Sequence, residues 1–461
     1  MPPKFGTSGL RGLVVDLTPD LIAQYTRAFL SACPHGRAVH VGRDLRASSP
    51  ALAETVLCTV CEAGLDAIDH GALPTPALAL TAGRAGQAAI MVTGSHIPAD
   101  RNGLKFYRPD GEISKTDEAA ILAACRTPFP AAVIPGTRRQ STAALNAYTK
   151  RYLDAFGKDA LSGLRIGVYE HSSVARDVMG EVLSGLGADV VGFARSETFI
   201  PVDTEAVDPQ TRAQFSSWCA DYQLDALVST DGDADRPMVT DADGQIIPGD
   251  VLGPLTARSL GAELICTPVS SNTLVEAMGD FTGIRRTRIG SPYVIAAMEA
   301  AVDARVAGYE ANGGFLLGFE ASGPAGPLAP LMTRDCLLPI VAPLAATRAA
   351  GQPLAVLVTT LPARFTATDR ISEITPDRAR SFLGQLIQDP VARATFFSER
   401  ATEAGVDLTD GLRVRFVDDT VIHLRPSGNA PEFRCYAEAD TAARARTLMR
   451  ETLEAVALAL S

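Results

Sequence analysis

A multidomain α/β protein that ends in an α+β domain is the fold class the sequence predicts, and three observations carry it. The chain has 461 residues, far more than one hydrophobic core usually organises, and ~150 residues per domain suggests about three domains. Through the first three quarters, amphipathic helices alternate with short continuous apolar strands, the pattern of sheets buried between helix layers. Near the end, three short strands joined by tight turns precede one helix, which reads as a separate domain with an antiparallel sheet.

In chain order, Thr18 and Pro19 supply an N-cap and a first-turn proline for a helix to Ala32. Ser49 and Pro50 repeat the device for a helix that Gly64 terminates. Apolar runs at 38–42, 88–92, 165–169, 226–229 and 263–267 read as buried strands. In the last domain the strands are expected at 413–416, 421–424 and 433–437, and the helix at 441–460. Candidate boundaries are the polar stretch 136–141, the turn 241–244 and the region 361–368. They give domains at 1–140, 141–243, 244–362 and 363–461.

Hydrophobic residues at 46% and charged residues at 21% place the chain among globular proteins. A net charge of −11, from 42 Lys and Arg against 53 Asp and Glu, gives no bulk electrostatic footprint for nucleic acid. Any anionic ligand must therefore be gripped by local cations. No signal-peptide pattern opens the chain, and its longest apolar stretch, 336–346, is broken by Pro339 and Pro343, so a cytoplasmic location without membrane contact is expected. Eight scattered cysteines read as reduced thiols. Cys58 and Cys61 form one CxxC inside a helix, with no second pair for a metal, and are expected on its buried face.

Four loops, each after or between strands, concentrate polar residues where α/β scaffolds present functional groups. In Thr93-Gly-Ser-His-Ile-Pro98, Ser95 is a possible phosphoryl carrier with His96 beside it and Lys105 downstream. By itself the segment reads equally as a tight turn with a solvated lysine. Asp231, Asp233 and Asp235 alternate along one loop before Arg236, so three hard oxygen donors can converge on one cation. An EF-hand is excluded because Arg236 stands at its sixth position and Ala242 at its twelfth. A third region pairs Thr287, Arg288 and Gly290 with Glu310, Asn312 and two glycines, suited to sugar hydroxyls, or equally a glycine turn; Glu320 heads a competing segment of similar composition. In the fourth, Arg425, Ser427, Gly428, Asn429 and Arg434 offer two guanidiniums and glycine-flanked amides to a phosphate, or form a plain hairpin loop. Neither a P-loop nor a dinucleotide fingerprint is present, so ATP and NAD are not indicated.

Taken in this order and preceded by Phe5-Gly-Thr-Ser-Gly-Leu-Arg-Gly12, the loops resemble those of the α-D-phosphohexomutase superfamily across essentially the whole chain, with the nearest look to the bacterial phosphomannomutase/phosphoglucomutase group. The resemblance implies three related α/β domains with mixed sheets and a C-terminal domain of the TATA-binding-protein-like kind, arranged around a central cleft. It implies that Ser95 is the phosphoserine, that Asp231, Asp233, Asp235 and a Ser95 phosphoryl oxygen hold Mg²⁺, and that Lys105 and His96 handle protons. Arg11 and Arg236 would lie near the reacting phosphoryl group, and the Arg425 loop would grip the other phosphate. The phosphoserine loop reads Thr-Gly-Ser-His-Ile-Pro where the family has Thr-Ala-Ser-His-Asn-Pro, and the sugar loop lacks the family's Ser and His.

The implied reaction interconverts hexose 1- and 6-phosphates, mannose before glucose, with hexose 1,6-bisphosphate as intermediate and activator, in a monomer or homodimer. Glucosamine phosphate is the alternative substrate. Two other classes fit parts of the pattern: a metal-dependent sugar-phosphate phosphatase with Asp231 or Asp233 as nucleophile, and a non-catalytic sugar-phosphate sensor.

Overall fold

A computed structural model describes residues 3–6, 9–127, 132–301, 303–426 and 432–460. The first helix, Pro19–Ala32, starts as its sequence dictates, with the Thr18 hydroxyl accepting from Leu21 N at 3.3 Å. The second, Ser49–Glu62, does not repeat the device. Ser48 is its N-cap without a side-chain bond, and the Ser49 hydroxyl instead donates to Asp44 at 2.5 Å. The expectation for the CxxC also fails, because Cys58 is exposed and Cys61 half-buried on the turn where Cys61 meets Thr137 O. All eight cysteines are free thiols.

Three sheets share one strand order. In the first, Asp66–Ala72, Ala38–Arg43 and Ala88–Val92 run parallel, and Arg101–Arg108 returns antiparallel beside the last of them. Gly9–Leu13 and Lys4–Phe5 extend one side, Arg138–Gln140 the other. The second sheet places Asp189–Phe193, Arg165–Tyr169 and Ala226–Thr230 in parallel, then Pro237–Thr240 and Ile246–Ile247 antiparallel. The third repeats this with Gly283–Thr287, Leu264–Pro268 and Val306–Tyr309, followed by Phe315–Leu317 and Leu331–Asp335. Parallel strands covered by helices on both faces are buried along their whole length, as Ala88–Val92 and Ala226–Thr230 are; the first is apolar throughout, and the second is apolar up to Ser229 and Thr230, whose buried hydroxyls are hydrogen-bonded.

The last sheet is wholly antiparallel, in the order Phe365–Ser372, Glu432–Ala439, Val421–Pro426, Leu412–Phe416 and Glu403–Asp407, and Ala442–Ala459 packs on it. It holds two strands and two helices, Pro376–Gln388 and Pro390–Phe396, beyond those expected. The turn 241–244 closes a hairpin, with Thr240 paired to Ile246, so the second sheet continues past residue 243.

One apolar cluster runs through the second and third sheets, and the helix Ala143–Phe156 joins it to the first domain. That helix is pinned by two tyrosines: the hydroxyls of Tyr148 and Tyr152 both donate to buried Asp335 on the last strand of the third sheet. The first sheet's other face and the C-terminal domain have their own cores. Among the described residues, no helix is long and apolar enough to cross a membrane.

Candidate active site

The repeated strand order explains why distant segments meet. In each related sheet the third strand ends in a loop that turns back into the antiparallel fourth, and these three loops carry Ser95, Asp231–Arg236 and Glu310–Gly314.

Ser95 follows Ala88–Val92 in a left-handed conformation, φ +53°, which a serine adopts only under local constraint. Its amide donates to Thr93 Oγ1 at 2.7 Å, and that hydroxyl donates to Asp44 at 2.8 Å. The Ser95 hydroxyl is thereby aimed at the second domain, where it donates to Asp231 at 2.6 Å, with His96 Nδ1 at 3.4 Å.

Carboxylate oxygens of Asp231, Asp233 and Asp235 lie within 4.8 Å of one another, all buried. Lys105 Nζ stands 2.5 Å from both Asp233 and Asp235. It reaches them from the return strand Arg101–Arg108, beside which Arg11 pairs with Gly103 and Gly9 with Lys105, so Arg11 and Lys105 share a sheet face. A side chain at Gly103 would come within 3.2 Å of Arg11 Cγ and collide with Leu10 O, which keeps that position bare. Thr75 also donates to Asp233, at 2.7 Å. Asp233 Oδ1 and Asp235 Oδ1 are buried with no hydrogen-bond partner, an arrangement that fits a cation bound between them.

The electrostatics are divided. Burial, with repulsion from Asp233 and Asp235, drives the Asp231 carboxyl well above its usual range. Burial acts the same way on Asp235, but Arg334, Lys105 and Arg236 outweigh it and hold that carboxyl far below the usual range. Burial would lower the Lys105 ammonium, yet Asp233 and Asp235 reverse the sign and raise it. Arg236, then burial, then Arg11 push His96 far down, so its imidazole is neutral at physiological pH.

Arg334 completes this cluster and was not foreseen. From the strand Leu331–Asp335 it donates to Asp235 at 2.7 Å and to Glu310 at 3.0 Å, joining the second and third domains through one buried guanidinium. Glu310 is thereby distinguished from Glu320, whose side chain is exposed. Asn312 Oδ1 accepts from Gly314 N at 3.0 Å and shapes the Glu310 turn, in which Gly313 takes φ +88°. Asp44 and Arg46, a buried pair holding the Ser95 loop, were likewise missed. A carboxylate and a guanidinium two residues apart after a strand were the available signal.

A second grouping gathers the remaining expected residues. Thr287 ends the strand Gly283–Thr287, and Arg288 and Gly290 lie in the loop that follows, whose Ile289 N donates to Asp410 while Arg288 Nε donates to Thr409 O. Asp410 also pairs with Arg425 at 3.4 Å. Arg425 and Arg434 stand opposite each other on neighbouring strands, at the base of a loop whose Ser427, Gly428 and Asn429 lie outside the described residues. The third-domain loop and the C-terminal arginines are thus neighbours.

Known proteins match this arrangement along its length. Family models described as phosphoglucomutase/phosphomannomutase alpha/beta/alpha domains I, II and III match residues 2–129, 146–244 and 248–365, and the C-terminal domain model matches 386–455. A phosphomannomutase of Sinorhizobium fredii is 45% identical over 469 residues, covering 98% of each chain. A phosphomannomutase of Salmonella muenchen is 43% identical over 449 residues, covering 95% of this chain and 92% of its own. A crystal structure of a phosphoglucomutase/phosphomannomutase family protein from Burkholderia thailandensis superposes with a TM-score of 0.77 at 22% identity, covering 97% of this chain and 96% of that one. Four domain models matched in order, with relatives this similar over nearly their full length, make the chain a member of the phosphoglucomutase/phosphomannomutase family.

Proposed function

We propose that this chain interconverts hexose 1-phosphate and hexose 6-phosphate through a phosphorylated Ser95 and a hexose 1,6-bisphosphate intermediate, acting on mannose phosphate first and glucose phosphate next. The observation that carries the reading is the Ser95 hydroxyl, 2.6 Å from one of three clustered carboxylates, two of which Lys105 holds, and beside His96, on which Arg236, Arg11 and Lys105 act. Mannose leads because the relatives at 45% and 43% identity bear the name phosphomannomutase.

In this reading Ser95 Oγ gives its phosphoryl group to a sugar hydroxyl: the new P–O bond forms to the sugar, the Ser95 O–P bond breaks, the sugar proton passes to an enzyme base, and the released Ser95 Oγ takes a proton from an enzyme acid. Arg11 and Arg236 neutralise the phosphoryl group, whose charge is about −1.5 to −2 at neutral pH. Lys105 and His96 divide the proton work. His96, held neutral, has no proton to give near neutral pH, so the acid is Lys105. Asp231, Asp233 and Asp235 would hold Mg²⁺ together with a Ser95 phosphoryl oxygen, and the ion would supply charge neutralisation. Thr287, Arg288, Gly290, Glu310 and Asn312 would take the sugar, and Arg425, Ser427, Gly428, Asn429 and Arg434 the phosphate that is not reacting. The four-part division belongs to the same reading, with its second boundary moved from residue 243 to beyond Ile247, where the second sheet ends.

Conversion of mannose, glucose and glucosamine 1-phosphates with Mg²⁺ and a trace of hexose 1,6-bisphosphate tests it. Bisphosphate-dependent turnover, fastest on mannose 1-phosphate, is expected; absence of turnover on all three by folded protein would reject it.

The metal site makes a separate pH prediction. With no cation bound, Asp231 holds its proton above the ordinary carboxyl range, and a metal ligand must be deprotonated. Binding therefore expels protons, and Mg²⁺ affinity is expected to rise with pH until the raised Asp231 value is passed. Titration calorimetry in buffers of different ionisation enthalpy reads this directly, since proton release makes the observed heat follow the buffer.

A further inference from the structure

Resting on the assignment of Ser95 as the phosphoryl carrier, we propose that Arg46 and Phe199 are positioning residues for the transfer, Phe199 acting as a wedge from the second domain that holds Arg46 against the Ser95 loop.

Arg46 is 1% exposed, and all five of its guanidinium N–H directions are used. Nε donates to Asp44 at 3.1 Å, Nη1 to Pro98 O at 2.7 Å and Arg101 O at 2.9 Å, and Nη2 to Ser95 O at 2.9 Å and Ile97 O at 2.5 Å. One side chain thus fixes both ends of the loop and the carbonyl of the residue held at φ +53°. Its flat guanidinium also explains Gly94, where a Cβ would lie 2.6 Å from Arg46 Cζ and Nε.

The other face of Arg46 meets Phe199, whose ring centroid is 4.0 Å from Cζ. Phe199 comes from a second-domain loop that is itself tied down. Ser172 Oγ accepts from Ile200 N at 2.7 Å and donates to Ile200 O at 3.3 Å, Ser196 N donates to His171 O at 3.0 Å, and Arg176 donates to Ser196 O at 2.8 Å. The same ring borders the carboxylate loop: a Cβ at Gly232 would sit 2.8 Å from the Phe199 ring and 3.0 Å from Ser95 O. His171 Nε2 lies 2.9 Å from Thr230 O, and Val174 N donates to Gly232 O at 3.2 Å, so one second-domain segment braces Phe199 and the carboxylate loop together. The ring therefore sets the Ser95 loop against the loop that accepts its hydroxyl, at a place where small misplacements of reacting atoms are costly.

Phe199→Leu keeps apolar volume and loses the ring face; Phe199→Tyr keeps the ring. In the mutase assay, with Ser95 phosphorylation by hexose 1,6-bisphosphate followed by quenched intact-mass measurement, Phe199→Leu is expected to lower kcat and the phosphorylation rate between about ten- and a hundredfold. KM and the thermal midpoint should stay near parental values, and Phe199→Tyr should restore both rates. Parental kcat in Phe199→Leu, a loss confined to KM, or a loss that Tyr does not repair overturns the proposal. Failure of the underlying assignment looks different: a Ser95→Ala variant would keep its turnover.

Discussion

Ser95→Ala is expected to lower mutase turnover by on the order of 10⁴-fold or more, because in the proposed mechanism the substitution removes the oxygen on which the phosphoryl group is stored between half-reactions. Stability should change little. The serine hydroxyl donates one short hydrogen bond, to Asp231, worth about 1 kcal/mol, and has a longer contact with His96 Nδ1 at 3.4 Å. Burial and its two neighbouring carboxylates already favour a protonated Asp231, which tolerates the loss of a donor better than an ionised group would. Binding of hexose 1,6-bisphosphate should survive, since Arg11, Arg236, Arg425 and Arg434 are untouched. Turnover and bisphosphate affinity measured together separate the three chemical classes. A phosphatase using Asp231 or Asp233 would keep releasing phosphate in Ser95→Ala, and a sensor would show no turnover before or after the substitution. A mutase loses turnover and keeps the ligand.

What the sequence made legible follows from locality. Ser95, the three aspartates and Glu310 each sit directly after an apolar run, so strand and loop could be read from one short window. The buried partners could not. Arg334 reaches Asp235, 99 positions away in sequence, and Lys105 reaches Asp233 across 128, and no periodicity within a strand announces such a contact. Arg46 and Phe199 were silent for the same reason. The edge strand Phe365–Ser372 escaped notice because most of it is exposed and it carries Asp369 and Arg370, charged residues that blunt a sheet edge and erase the alternation by which strands are recognised. Cys58 was misjudged because cysteine is usually buried, whereas helix geometry puts it on the outer side beside Glu54. The choice between Glu310 and Glu320 needed the structure, since among the described residues the buried Glu310 meets Arg334.

The largest stability effect expected is that of Lys105→Met, and it should depend on the metal. The side chains of Asp231, Asp233, Asp235 and Glu310 face four cations, Lys105, Arg11, Arg236 and Arg334, with the Asp231 carboxyl protonated while no metal is bound. Among them Lys105 alone contacts both Asp233 and Asp235, and its side chain is 4% exposed against 0% and 1%, so solvent screens these pairs very little. Removing one partner of such a pair leaves buried charge uncompensated, at a cost of about 3–5 kcal/mol. In EDTA the thermal midpoint of the variant should fall by roughly 6–20 °C, taking the ~2–4 °C per kcal/mol of a unit larger than one domain, since one apolar cluster joins the first three. In saturating Mg²⁺ the deficit should shrink, because the dication satisfies the same oxygens and stabilises whichever state binds it. The pH dependence has a definite sign. In the parent, Asp235 is held low, so its contribution is present above the ordinary carboxyl range and is lost as pH falls through the depressed value. In the variant, buried carboxylates without the ammonium take up protons more readily, and acid relieves their repulsion. The gap between the two proteins in EDTA should therefore be widest near neutral pH and close on acidification. A Lys105→Met protein as stable as the parent in EDTA at neutral pH would mean that the ammonium does not compensate the aspartates, and that Arg334 and Arg236 carry the cluster without it.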